Sequence, residues 1–144
     1  MGKLEGKNAV VTGGGRGVGK AISLAFAQEG ANVVVNYAGN QKAADEMVAA
    51  IQALGRKAVA VKGDVGQEAD AIKVVEACVE NFGSIHIIAN NAGISKPGML
   101  HKLDVATWDE VVNVQMRGPW LTVKAASKYF MEQKYGRIIN VTSV

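Results

Sequence analysis

Cysteine is nearly absent from this 144-residue chain. Cys78 stands alone, so no intrachain disulfide can form and an oxidising destination gains no support. It lies beside the apolar face of a predicted helix, which reads as a structural thiol. No apolar run approaches the ~20 residues that a membrane-spanning helix requires. The first residues carry no charged-then-apolar signal segment either, so a cytoplasmic location and no membrane partner are expected. Aromatic residues are few and do not alternate with the scattered lysines and arginines, so no nucleic-acid surface is expected at a net charge of +3. Such modest basicity suits a phosphorylated cofactor or an acidic carrier. Histidine occurs twice, at 86 and 101, and no metal site is expected. Proline also occurs twice: Pro97 marks a loop with Gly98, and Pro119 disturbs a helix by removing one backbone donor.

What the chain does have is apolar residues, 49%, enough for the core of one domain over residues 1–144. Short apolar runs alternate with helical periodicity along it. Strands are predicted at Asn8–Val11, Asn32–Asn36, Ala58–Val61, Ile85–Ala89 and Arg137–Val141. Between them helices are predicted at Gly17–Glu29, Gln41–Leu54 and Glu68–Phe82, the last with Ile72, Val75, Val79 and Phe82 on one face. Asp104 can cap a fourth helical region that continues to Gln133, disturbed at Gly118-Pro119, with Trp108, Val111, Val112 and Gln115 sharing a face. This alternation demands a parallel sheet with helices on both faces, a Rossmann-like α/β fold of about five strands in the order 3-2-1-4-5.

In such sheets ligands gather at the carboxyl ends of the strands. The stretch Thr12-Gly13-Gly14-Gly15-Arg16-Gly17-Val18-Gly19 sits there, between the first strand and the first helix. Its glycines allow a sharp turn and close backbone approach, and the following helix aims free N–H groups and a positive dipole end at whatever the turn holds. This is a phosphate-binding corner. Asn36-Tyr37, Asp64-Val65, Asn90-Asn91-Ala92-Gly93 and Thr142-Ser143 follow the other four strands.

Those motifs, in that order and over the whole chain, resemble the short-chain dehydrogenase/reductase family, and within it the 3-oxoacyl-(acyl-carrier-protein) reductases. The resemblance implies that Thr12, Gly13, Gly15, Arg16, Gly17, Val18 and Gly19 form the turn that holds a cofactor pyrophosphate. It implies that Asp64 and Val65 flank the adenine, and that Asn90, Ala92 and Gly93 shape the wall beside its ribose and steady the central strand. An acid at the end of the second strand would bind a ribose 2′-hydroxyl and repel a 2′-phosphate. Here Asn36 and Tyr37 are uncharged and Arg16 offers a two-pronged cation, so NADP is expected rather than NAD.

The resemblance also makes Ser143 a catalytic residue that hydrogen-bonds the substrate carbonyl. Gln115 stands where the family carries an asparagine that supports a proton-relay water, and its extra methylene puts that role in doubt. The family's Tyr-x-x-x-Lys pair would fall beyond Val144. No internal tyrosine replaces it: Tyr37, Tyr129 and Tyr135 are followed four positions on by Gln41, Gln133 and Ile139. Three readings stay open at this point. One is the cofactor-binding portion of an NADP-dependent reductase for a small carbonyl or acyl-thioester substrate, catalytically incomplete as it stands. A second is a non-catalytic dinucleotide-binding or assembly module, and the third a fragment of a longer reductase. Uncovered apolar surface around Trp108 and Trp120, with an exposed fifth strand, favours a homo-oligomer.

Overall fold

A computed structural model describes residues 2–143. Its five strands are β1 (Asn8–Val11), β2 (Asn32–Tyr37), β3 (Ala58–Lys62), β4 (Ile87–Asn90) and β5 (Arg137–Asn140). All pairings are parallel, in the order β3-β2-β1-β4-β5. The helices are α1 (Gly17–Gln28), α2 (Gln41–Ala53), α3 (Glu68–Phe82), α4 (Val105–Val112) and α5 (Gly118–Glu132), with a short 3-10 turn at Leu100–Lys102. Among the described residues no helix is long and apolar enough to cross a membrane.

The period-two alternation of side chains divides the central strands between two cores. Val11, Val33 and Val35 face α1 and α2 with Met47 and Ile51, while Val10, Val34 and Ile88 face α3 and α5 with Val74, Val75 and Ala126. Because both faces of β1 and β2 are covered, their sequences are unbroken apolar runs and not alternating ones. Burying one such Val or Ile side chain contributes roughly 1.5–3 kcal/mol, so these layers fix the sheet and the strand ends that carry the site.

Three details differ from the sequence expectations. The fully buried residues of α3 are Ala71, Val74, Val75 and Cys78, with Val79 and Phe82 packed partly buried against the same core, whereas Ile72 is 44% exposed. Val75 and Cys78 are spaced as i and i+3 with Ala71 a turn earlier, so the small residues face the sheet and allow close approach while the bulkier Ile72 turns outward. Burial pushes the Cys78 thiol up to about 12, which leaves it an inert core group. The helical region runs on to Glu132, but its disturbance lies just ahead of Gly118-Pro119: residues Asn113–Arg117 form a π turn within a backbone that stays helical, and Pro119 follows at the start of α5. Lastly, β4 begins at Ile87, two residues later than expected, although His86 just before it still donates its N–H to the Asn8 carbonyl and accepts from Arg137 N–H.

The lower end of the sheet, away from the carboxyl ends, has its own polar lock. His86 Nδ1 accepts from the Asn8 backbone N–H at 3.0 Å, Ser84 Oγ lies 3.5 Å from Nε2, and the Tyr135 ring meets the imidazole edge-on. Lys7 and Arg137 both stand over that tyrosine ring. Burial, and then the Lys7 charge, hold the imidazole pKa below its usual 6.5. The folded state therefore favours neutral His86, and the stability this contributes is complete above the unfolded value and lost as pH falls through the folded one. Urea midpoints should drop between pH 7 and a pH about two units lower, and His86→Asn, whose amide oxygen can still accept from Asn8, should flatten most of that drop.

β5 is the open edge of the sheet, with all four residues exposed, and Trp108 and Trp120 are each 60% exposed on α4 and α5.

Candidate functional site

A cavity of about 640 Å³ opens at the carboxyl ends of β1 to β4. The glycine turn forms its floor through Gly13, Gly15, Arg16 and Gly17. Gly13 and Gly17 hold φ of +61° and +54°, a region that L side chains rarely adopt. A Cβ at Gly19 would lie 2.0 Å from the Gly13 carbonyl oxygen, so only glycine lets α1 start this close to the turn. Arg16 occupies the N-cap of α1 in extended conformation and its side chain accepts no hydrogen bond. The N–H groups of Gly17, Val18 and Gly19 at the start of α1 thus have no side-chain cap, and of these residues Gly17 lines the cavity. That is the donor set an oxyanion requires.

Buried and partly buried side chains hold the turn in place. Thr12 Oγ1 accepts from the backbone N–H groups of Asn91 and Ala92, both at 2.9 Å. Asn91 Nδ2 returns two bonds, to the carbonyls of Thr12 and Gly13. Ser23 Oγ donates to the Gly14 carbonyl at 3.0 Å. Asn36 ties the turn to the outer strands: its Oδ1 accepts from Gly13 N–H, its backbone carbonyl from Gly14 N–H, and its Nδ2 donates to the carbonyls of Val61 and Gly63.

Of the other expected cofactor residues, Tyr37, Asp64, Val65, Ala92 and Gly93 line the cavity. Asp64 uses Oδ1 to accept from Gly66 N–H at 2.9 Å, which leaves its second oxygen free. Asn36 also lines the cavity, but it is buried and its amide is spent on the scaffold. Thr12, Val18, Gly19 and Asn90 are not on the cavity wall. Thr12 and Gly19 act from behind the turn, and Val18 is 61% exposed. Asn90 departs from the wall role expected of it. Strand alternation turns it away, so that Nδ2 donates to Asn140 Oδ1 while Oδ1 accepts from Thr122, joining β4 to β5 and α5.

Sequence reasoning missed Asn91, although it lay inside a quoted motif, and it missed Glu110 and Val114 on the wall. These last two come from a distant helix with no local signal. Gln115 stands on the π turn and donates from Nε2 to the Ile94 carbonyl at 2.7 Å. Its extra methylene reaches the loop after β4. Ser143 is exposed, three residues past the end of β5 at Asn140, and is not on the cavity wall.

A model of the short chain dehydrogenase family matches residues 7–144. The chain belongs to that family. It is 41% identical over its whole length to the 3-oxoacyl-(acyl-carrier-protein) reductase of Synechocystis sp., of which it covers 58%. It is 46% identical over 140 residues to the peroxisomal hydratase-dehydrogenase-epimerase of Neurospora crassa, covering 97% of this chain and 15% of that one. Among solved structures, a short chain dehydrogenase from Burkholderia cenocepacia J2315 in complex with NADP superposes with a TM-score of 0.92 at 36% identity, over 98% of this chain and 57% of that one. The chain therefore spans somewhat over half the length of that reductase and of that solved dehydrogenase. This short chain dehydrogenase chain has the strand order that its motifs imply, and a nucleotide cofactor suits the uncapped helix end and the glycine-rich floor of its cavity.

Proposed function

We propose that this chain is the NADP-binding part of a short-chain reductase acting on a small carbonyl or 3-oxoacyl thioester substrate. The observation that carries this is the cavity itself, with its uncapped α1 end over a floor of glycines. The similarity to a 3-oxoacyl-(acyl-carrier-protein) reductase and to an NADP-bound dehydrogenase supports it.

The preference for NADP over NAD rests on the wall beyond β2. From Asn36 to Ala43 it contains no acid, and Tyr37, Gly39, Asn40 and Ala43 face the cavity. The amino end of α2 opens there, with Asn40 capping Ala43 N–H and Lys42 in the first turn. A 2′-phosphate would meet that dipole end and the Arg16 guanidinium.

When bound, the reduced nicotinamide supplies a hydride to the carbonyl carbon. Ser143 would donate from Oγ to the carbonyl oxygen and orient it, and Gln115 would hold the loop at Ile94. Within these 144 residues no Tyr-x-x-x-Lys pair supplies the proton. The chain by itself is expected to bind NADPH without turning over substrate. Titrating NADPH by its fluorescence, beside steady-state NADPH oxidation with a β-ketoester, tests both halves. Saturable binding with no oxidation is expected, and oxidation at about 1 s⁻¹ or faster would sink the second half.

The open β5 edge and the exposed Trp108 and Trp120 favour a second reading, an assembly module that pairs with another chain. On the second reading a homo-oligomer is expected by solution mass measurement. An NADPH-binding monomer would leave the first reading standing and remove the second.

A further inference from the structure

Among the described residues, three charged ones line the cavity: Arg16, Asp64 and Glu110. Arg16 belongs to the glycine turn, and Asp64 is engaged by Gly66 N–H. Glu110 has no such part in the scaffold. It lines, from α4, a cleft that, on the reading above, takes a ligand with several negative charges. A bare carboxylate in the wall of such a cleft would repel phosphate groups, because concave low-dielectric walls concentrate the field of a single charge.

Lys96 meets that charge. It comes from the loop after β4 and pairs through Nζ with Glu110 Oε2. Both side chains are about half exposed, at 45% and 51%, so the pair adds little to folding stability. Nor does the loop depend on it, since Gln115 holds Ile94 and Thr12 holds Asn91 and Ala92. Asp104, whose carboxyl is held below its usual range chiefly by the hydrogen bonds from Thr107, also feels Lys96 but lies off the cavity wall. The consequence of the pair is electrostatic and local to the cleft.

We propose that Lys96 determines affinity for the dinucleotide by neutralising Glu110 in the cleft wall, without touching the ligand itself. This rests on the dinucleotide reading of the cavity. Three consequences follow from Coulomb's law: the effect of losing Lys96 grows with ligand charge, shrinks with salt, and vanishes when Glu110 is neutral.

The test measures dissociation constants of NADPH, NADH and uncharged adenosine for the wild-type chain, Lys96→Met, Glu110→Gln and the double variant. At low salt Lys96→Met should weaken NADPH about fivefold and NADH less, with adenosine unchanged, and at about 0.5 M salt the NADPH loss should fall below twofold. The double variant should bind within about twofold of Glu110→Gln alone. A wild-type-like Lys96→Met would overturn the proposal. So would a double variant as weak as Lys96→Met, since Lys96 would then act on the ligand directly. A Lys96→Met that loses adenosine equally would make the residue a support of the loop and overturn the proposal too. Absence of NADPH binding by the wild-type chain would remove the dinucleotide reading and this proposal with it, whereas the preceding outcomes leave that reading intact.

Discussion

Gly19→Ala should abolish NADPH binding, weakening it at least ~100-fold, and destabilise the fold by about 3 kcal/mol. The added Cβ would stand 2.0 Å from the Gly13 carbonyl oxygen, 2.8 Å from its carbonyl carbon and 2.6 Å from Asn91 Nδ2. Two of those atoms are backbone, so no rotamer change relieves the contact. The turn must move away from α1, or Asn91 must release the Gly13 carbonyl that it holds at 3.2 Å. Either response displaces the N–H groups that the phosphates need.

Gly17→Ala separates the two effects. Gly17 also has positive φ, but a Cβ there meets nothing within 4 Å, and the residue faces the cavity. Its stability cost should stay at roughly 1–2 kcal/mol, the cost of a left-handed L residue, while NADPH binding still falls ~10-fold or more. Chemical denaturation and fluorescence titration of the two variants check this. A Gly19→Ala chain that binds NADPH within a few fold of wild type would show that the turn is not the phosphate cradle.

The order of strands and the place of that turn were legible because they follow from patterns carried in short windows. Val10-Val11 and Val33-Val34-Val35 are continuous apolar runs, which only a sheet covered on both faces accepts, and the glycines interrupt them at the strand end. The duties of the asparagines were not legible. Asn36, Asn90 and Asn91 look interchangeable as polar residues at strand ends, yet each makes different bonds. Asn36 binds Gly13, Val61 and Gly63, Asn90 binds Asn140 and Thr122, and Asn91 binds Thr12 and Gly13. Those partners lie up to 79 residues away in the chain, so no local pattern could name them. The disturbance of the long helix was legible at Gly118-Pro119, but its form was not: the π turn occupies Asn113–Arg117, just upstream of the proline.

The difference between neighbours Asn36 and Tyr37 decides how cofactor choice can be altered. Both sit at the end of β2, where an acid would select against a 2′-phosphate. Asn36 is only 2% exposed and its Nδ2 faces two carbonyl oxygens. An aspartate there would set a carboxylate against those oxygens with no proton to share. Asn36→Asp is therefore expected to cost about 3 kcal/mol, a fall in Tm near 10 °C, and to weaken NADPH and NADH alike by loosening the turn. Tyr37 is half-buried, lies on the other face of the strand and lines the cavity. Tyr37→Asp should weaken NADPH ~10- to 100-fold relative to Tyr37→Asn, and leave NADH within about threefold, since only the phosphate meets the new charge. Comparison with Tyr37→Asn removes the loss of the ring, which packs against the Val35 and Met47 side of the core. If Asn36→Asp instead kept full stability and rejected NADPH alone, the side chain that reads the ribose would be Asn36, and the buried amide would have to open toward the ligand for it to do so.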